Sequence, residues 1–210
     1  MPWWPAGYAR GSGERAFEIA IGAVLTQNTN WRNVERALAN LERADALAAA
    51  TIRALPEERV GELIRPSGFY RVKARRLQAL AEAWERAGGW EVLVERDTAG
   101  LRAWLLGIHG VGRETADDVL LYGFERPVWV IDAYTRRLLG RLGREQLAGQ
   151  TYDAMAERLL AHTREPTAAR LAAWHGLVVE HAKAYCRVRP SCAECPLQAR
   201  CEHGRVVKGA

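Results

Sequence analysis

Before residue 186 the chain has no cysteine, and along its whole length it has only three lysines, Lys73, Lys183 and Lys208. The first absence rules out a disulfide framework through the body of the protein. The second leaves arginine as nearly all of the basic side chains, and few amines that can act as nucleophiles. Long hydrophobic runs are also missing. The best, "IAIGAVL" at 19–25, falls far short of the roughly eighteen residues a membrane helix needs. The N-terminus "MPWWPAGYAR" has neither a basic leader nor the apolar stretch of a secretory signal. Strand-like sequence is scarce, and "VWVI" at 128–131 is too short to support a sheet. Low-complexity linkers and internal repeats are lacking too. These absences point to the cytoplasm or nucleoid, with no membrane partner.

Hydrophobic residues make up 49% of the 210 and charged residues 26%, the proportions of an ordinary globular protein. The length suits one domain or two small, closely joined lobes. A net charge of +5 favours nucleic acid modestly, and arginine suits bidentate phosphate contacts.

Apolar residues recur at helical spacing almost everywhere. Helices are expected over 14–27, 31–44, 69–88, 98–108, 113–124, 132–143, 151–162 and 166–186. Glycine or proline marks the joints at 66–68, 88–89, 110–112, 127 and 166. The fold class is all-α.

Three local patterns carry chemistry. In "HGVGRETADDVLLYG", the turn Gly110-Val111-Gly112 opens directly into a helix whose second residue is Glu114. Such a turn aims backbone N–H groups and the positive end of the helix dipole outward, which makes a phosphate site. It is equally an ordinary tight connection, and Glu114 equally a first-turn acid favoured by the dipole. Asp132 stands where a helix N-cap belongs. Finally, Cys186-x5-Cys192-x2-Cys195-x5-Cys201 places four thiolates within sixteen residues, enough for either a [4Fe–4S] cluster or tetrahedral zinc. Zinc ribbons usually pair two Cys-x-x-Cys knuckles, and only one is present.

"GIHGVGRETADDVLLY" resembles the helix-hairpin-helix of the endonuclease III superfamily of DNA glycosylases, with His109 where that family often has proline. "VWVIDAYTRRLLGRLG" is similar to its next landmark, and Asp132 follows Glu114 at the family's spacing. "CRVRPSCAECPLQARC" looks like its cluster loop with the first gap one residue shorter. "AIGAVLTQNTNWRNVERALANL" is similar to its early helix pair.

The resemblance implies a two-lobed fold. A helical barrel with the hairpin occupies 15–127. A second lobe comprises 1–14 plus 128–210, with a [4Fe–4S] loop at 186–201. It further implies a monomeric base-excision-repair glycosylase that flips a damaged base out of double-stranded DNA. Asp132 would stabilise the cationic sugar or orient water. Gln27 would fill the gap left in the duplex, with Asn28 and Thr29 at the pocket rim. His109, Gly110, Val111, Gly112 and Arg113 would meet the phosphates. Arg187, Arg189 and Arg200 would be available to DNA beside Cys186, Cys192, Cys195 and Cys201 on the cluster. Endonuclease III has a Schiff-base lysine where this chain has Glu114, so a monofunctional enzyme is expected. Glu114, "LTQNT" and "WWP" together look like the 3-methyladenine DNA glycosylase III branch. There Trp3 and Trp4, and more weakly Phe17, would stack on an alkylated purine. The alternatives are an endonuclease III-type enzyme acting on oxidised pyrimidines and a non-catalytic protein that binds damaged DNA.

Overall fold

The computed structural model describes Trp4, Gly7, Tyr8 and residues 11–208, so Trp3 lies outside the described residues. Every regular element among them is helical. The chain divides into two compact units, one formed by Trp4–Arg126 and the other taking up the chain at Pro127. In the first unit the first helix runs unbroken from Ser12.

That helix, α1 (Ser12–Thr26), is buried without interruption from Ala16 to Leu25. A helix apolar on all sides belongs in the middle of a core. Its one buried acid, Glu18, accepts the backbone N–H groups of Gly7 at 3.1 Å and Tyr8 at 3.3 Å, which offsets its desolvation. Next come α2 (Trp31–Arg43), α3 (Ala49–Ala54), α4 (Glu57–Leu63) and a 3-10 turn at Arg65–Ser67. Asn30 caps α2 by accepting from the Asn33 N–H at 3.1 Å, as its position before an apolar-periodic run predicts. Then follow α5 (Tyr70–Arg86), α6 (Gly89–Leu93), α7 (Thr98–Leu106) and α8 (Arg113–Asp118), which continues into a π-helical turn, Val119–Gly123. An aromatic cluster fills the space between α1, α5 and this turn. Phe17 meets Trp84 edge-on at 5.1 Å, and Phe124 lies against Trp84 at 5.8 Å and stacks on Trp90 at 5.0 Å. Phe17, 2% exposed, belongs to this core.

In the second unit Trp129, Val130 and Ile131 are buried but form no strand. Their polar groups are met by side chains instead. Trp129 Nε1 donates to Thr163 Oγ1 at 3.0 Å, and the Ile131 N–H donates to the Tyr152 hydroxyl at 3.2 Å. After them come α9 (Ala133–Arg141), α10 (Glu145–Ala148), α11 (Tyr152–Ala161) and α12 (Ala168–Ala184). The tail is two 3-10 turns, Cys192–Glu194 and Gln198–Arg200, followed by α13 (Glu202–Lys208). No helix among the described residues is long and apolar enough to cross a membrane.

Candidate active site

In the first unit the hairpin is built by α7, the turn and α8. Gly110 has φ +89°, and a Cβ on it would lie 2.2 Å from Cγ of Arg76, so both backbone and neighbour require glycine there. Val111 is 7% exposed, and its N–H bonds to the Ile108 carbonyl at 3.1 Å. Its side chain therefore anchors the turn. Gly112 is the extended N-cap of α8, with nothing within 4 Å of where its Cβ would stand. His109, Gly112, Arg113 and Glu114 form the exposed face. Behind them Arg102 grips the buried Asp117 with two bonds, 2.7 and 3.0 Å, locking α7 to α8.

Gln27 ends α1 directly against this turn. Its Nε2 donates to the Gly110 carbonyl at 3.1 Å and to Thr115 Oγ1 at 3.0 Å, while its Oε1 accepts from Arg76. In this arrangement Gln27 is a strut beneath the hairpin. Filling a gap in a duplex would require it to abandon all three partners. Asn28 is exposed with φ +54°, and Thr29 accepts from Asn33 Nδ2 at 3.1 Å, so the two stand at the end of α1 as polar cap residues. Lys73, on α5, donates to the Leu25 carbonyl and the Ser67 carbonyl, each at 2.8 Å. Burial, then the charge of Arg76, brings its pKa down to about 8. Trp4 is 6% exposed, edge-on to Trp31 and tilted against Tyr122, each at 5.1 Å. In this arrangement the indole packs within the core of the unit. Gly22 admits it, since a Cβ there would stand 3.0 Å from the indole ring.

The second unit holds Asp132. It caps α9 through Oδ1, which accepts the Thr135 N–H at 2.7 Å. Its other oxygen lies 3.5 Å from Nε2 of His175 on α12. Asp132 is 8% exposed and His175 7%. Burial alone would raise the carboxyl's pKa. Hydrogen bonding and charge from His175, helped by Thr135, outweigh it and hold the group below the usual aspartate value. The result is a buried carboxylate that stays ionised. Nothing local in the sequence marks His175, which sits 43 residues away as a polar break in an apolar helix face.

The four cysteines carry free thiols and line one small cavity of about 20 Å³, together with Leu138, Arg141 and His181. Arg141 reaches Cys186 Sγ at 3.3 Å and the carbonyls of Arg187 at 2.6 Å and Val188 at 3.0 Å. Arg137 donates to the Cys186 carbonyl at 2.8 Å. Cys201 Sγ bonds to the Arg141 carbonyl at 3.1 Å. Burial, then the other three thiols, pushes the Cys192 thiol up, against the pull of Arg141. Four such thiols can ionise together only if a positively charged group sits among them. Among the described residues no three His, Cys, Asp or Glu groups are gathered on one point to hold a single ion.

A model of the HhH-GPD superfamily of base excision DNA repair proteins matches residues 21–172, taking in both the hairpin and Asp132. The chain belongs to this superfamily. A Methanocaldococcus jannaschii protein assigned as a DNA repair glycosylase is 41% identical over 204 residues, covering 95% of this chain and 88% of that one. The H. pylori 3-methyladenine DNA glycosylase, solved bound to 1,N6-ethenoadenine, is 32% identical with a TM-score of 0.71 and covers 87% of this chain and 89% of its own. A trapped covalent endonuclease III–DNA intermediate is 25% identical with a TM-score of 0.77, covering 92% of this chain and 86% of its own. The glycosylase thus acts in base excision repair, with the fold of both of these enzymes.

Proposed function

We propose that this glycosylase is a monofunctional enzyme that removes alkylated purines from double-stranded DNA. The observation that carries this reading is Glu114 in the first turn of α8. A carboxylate cannot form the imine through which endonuclease III works, as the resemblance implies. Among the described side chains, the Lys73 amine is bound by two carbonyls in the core and Lys183 pairs with Glu180 on α12.

Purines methylated at N3 or N7 are cationic and leave readily, so their removal needs charge recognition more than acid catalysis. Glu114 supplies the attraction. Asp132, ionised in its buried site, stabilises the cationic sugar and directs water to it. The exposed hairpin face, with Gly112 open, receives the phosphate backbone. Arg187, Arg189 and Arg200 are exposed and add to that contact. In the tail Cys186, Cys192, Cys195 and Cys201 would hold a [4Fe–4S] cluster, which supplies the positive charge and thiolate bonds that close the loop. The enzyme works as a monomer in the cytoplasm, on the nucleoid.

A second reading has one supporting observation, the likeness to endonuclease III, including a 32% identical Thermotoga maritima relative. Duplexes each bearing a single lesion separate the two. The expected result is release of 3-methyladenine or a related alkylated purine, an uncut abasic strand and no adduct trapped by borohydride. Removal of thymine glycol with no action on methylated DNA would establish the endonuclease III-type reading. Binding without base release in single turnover would establish a damage-binding protein.

The phosphate role has its own test. Gly112→Val fits the protein without a clash, because nothing lies within 4 Å. Its branched side chain would instead stand where phosphate approaches. Affinity for duplexes of any sequence should drop with little change in melting temperature. Parental affinity across a range of salt concentrations would show that the turn does not touch DNA.

A further inference from the structure

We propose that His175 is a positioning residue for Asp132, holding its second carboxylate oxygen so that the charge faces the sugar in one fixed orientation. This rests on the catalytic reading of Asp132 given above.

An N-cap needs only one carboxylate oxygen, and Oδ1 satisfies it through the Thr135 N–H at 2.7 Å. A second partner at Oδ2 is therefore not required for capping. Nevertheless His175 places Nε2 3.5 Å from Oδ2, with both side chains nine-tenths buried. On α12, His175 shares its buried face with Leu171, Val179 and Ala182. A polar ring in such a stripe loses hydration, and only a partner offsets that loss.

The consequence for chemistry is geometric. A carboxylate has about four lone-pair directions, two on each oxygen. The Thr135 N–H takes one from Oδ1, and His175 Nε2, at 3.5 Å, faces one on Oδ2, which an Nε2–H would fill as the ring closes on it. The directions that remain are those through which the carboxylate can meet water or the electron-poor sugar. With Oδ1 alone held, the group can swing about its Cβ–Cγ bond, because that torsion has only broad minima. Held at both ends it cannot. Positioning of this kind acts on the chemical step and leaves ground-state binding unchanged.

The test uses the whole enzyme and single-turnover base release. His175→Leu keeps the site apolar and removes the donor. It should slow excision by about ten- to a hundredfold, the usual scale for a supporting partner, with DNA affinity unchanged. His175→Gln carries a donor at the position of Nε2 and should recover most of the rate. In an Asp132→Asn background His175→Leu should add almost nothing, because the two act as a unit. Equal rates for His175→Leu and His175→Gln, compared at temperatures equally far below their melting points, would overturn the proposal. So would an effect of His175→Leu that multiplies with that of Asp132→Asn. If Asp132→Asn is itself fully active, the catalytic reading of Asp132 fails. If Asp132→Asn is inactive while His175→Leu matches the parent, only the role of His175 fails.

Discussion

Asp132→Asn is expected to leave the fold and DNA binding intact while base release falls by at least about a hundredfold, the scale of removing one preorganised charge from a transition state. The change is nearly isosteric. Asn is among the best N-caps, so the bond from the Thr135 N–H survives and α9 keeps its start. What disappears is a negative charge in a water-poor site, where it interacts strongly with a cationic sugar. Stability has its own signature. The native carboxyl titrates below the unfolded one, so Asp132 contributes stability that is complete above the ordinary aspartate pKa. That contribution is lost as pH falls through the lower native value. The melting difference between parent and Asp132→Asn should therefore be largest near neutrality and close in acid. A folded Asp132→Asn that releases base at the parental rate would remove Asp132 from the chemistry.

The elements that position this aspartate differ in how far the sequence reveals them. α1, α2, α5 and α12 are long enough for the 3.6-residue period to repeat, and all four are legible. α3, α4 and α6, with six, seven and five residues, complete too few turns to show a period. They form because α5 and its neighbours cover their apolar sides, a tertiary cause. "VWVI" illustrates the opposite ambiguity. Its last three residues are buried, yet Tyr152 of α11 and Thr163 just beyond that helix meet polar groups there, and no strand pairs with them.

The site divides in the same way. Gly110, Asp132 and the four cysteines announce themselves because local backbone geometry, capping and ligation depend on residue type at short spacing. Trp4 does not, since an indole that stacks on a ligand and one that fills a core look alike in sequence. Gln27 reads as a polar helix end, and its bracing role emerges only once Arg76 and Gly110 arrive from 49 and 83 residues away. His175 is hidden for the same reason. Its meaning lies in a partner on another helix.

Replacing Cys192 with alanine is expected to remove the cluster and unfold the tail. From Cys186 to Arg205 the buried hydrophobic side chains are Cys186, Cys192 and Cys201, while Val188 is 82% exposed. The segment has almost no apolar core of its own, so ligation must hold it together. Structural metal sites contribute about 10 kcal/mol or more to small domains. Losing even about 3 kcal/mol would raise the open fraction of the tail about a hundredfold. Trypsin should then cut rapidly after Arg187 and Arg200, which are already exposed, while Pro190 protects the bond after Arg189. Iron and sulfide, measured after anaerobic purification, should fall together. The damage should also reach the chemistry. Arg137 and Arg141 tie α9 to the loop, and Asp132 caps the other end of that nine-residue helix. Excision should therefore weaken, though less than in Asp132→Asn, because the carboxylate itself remains. A Cys192→Ala protein with parental iron content and parental resistance to trypsin would show that this thiol is not a ligand. One equivalent of zinc and no iron in the parent would replace the cluster with a single ion.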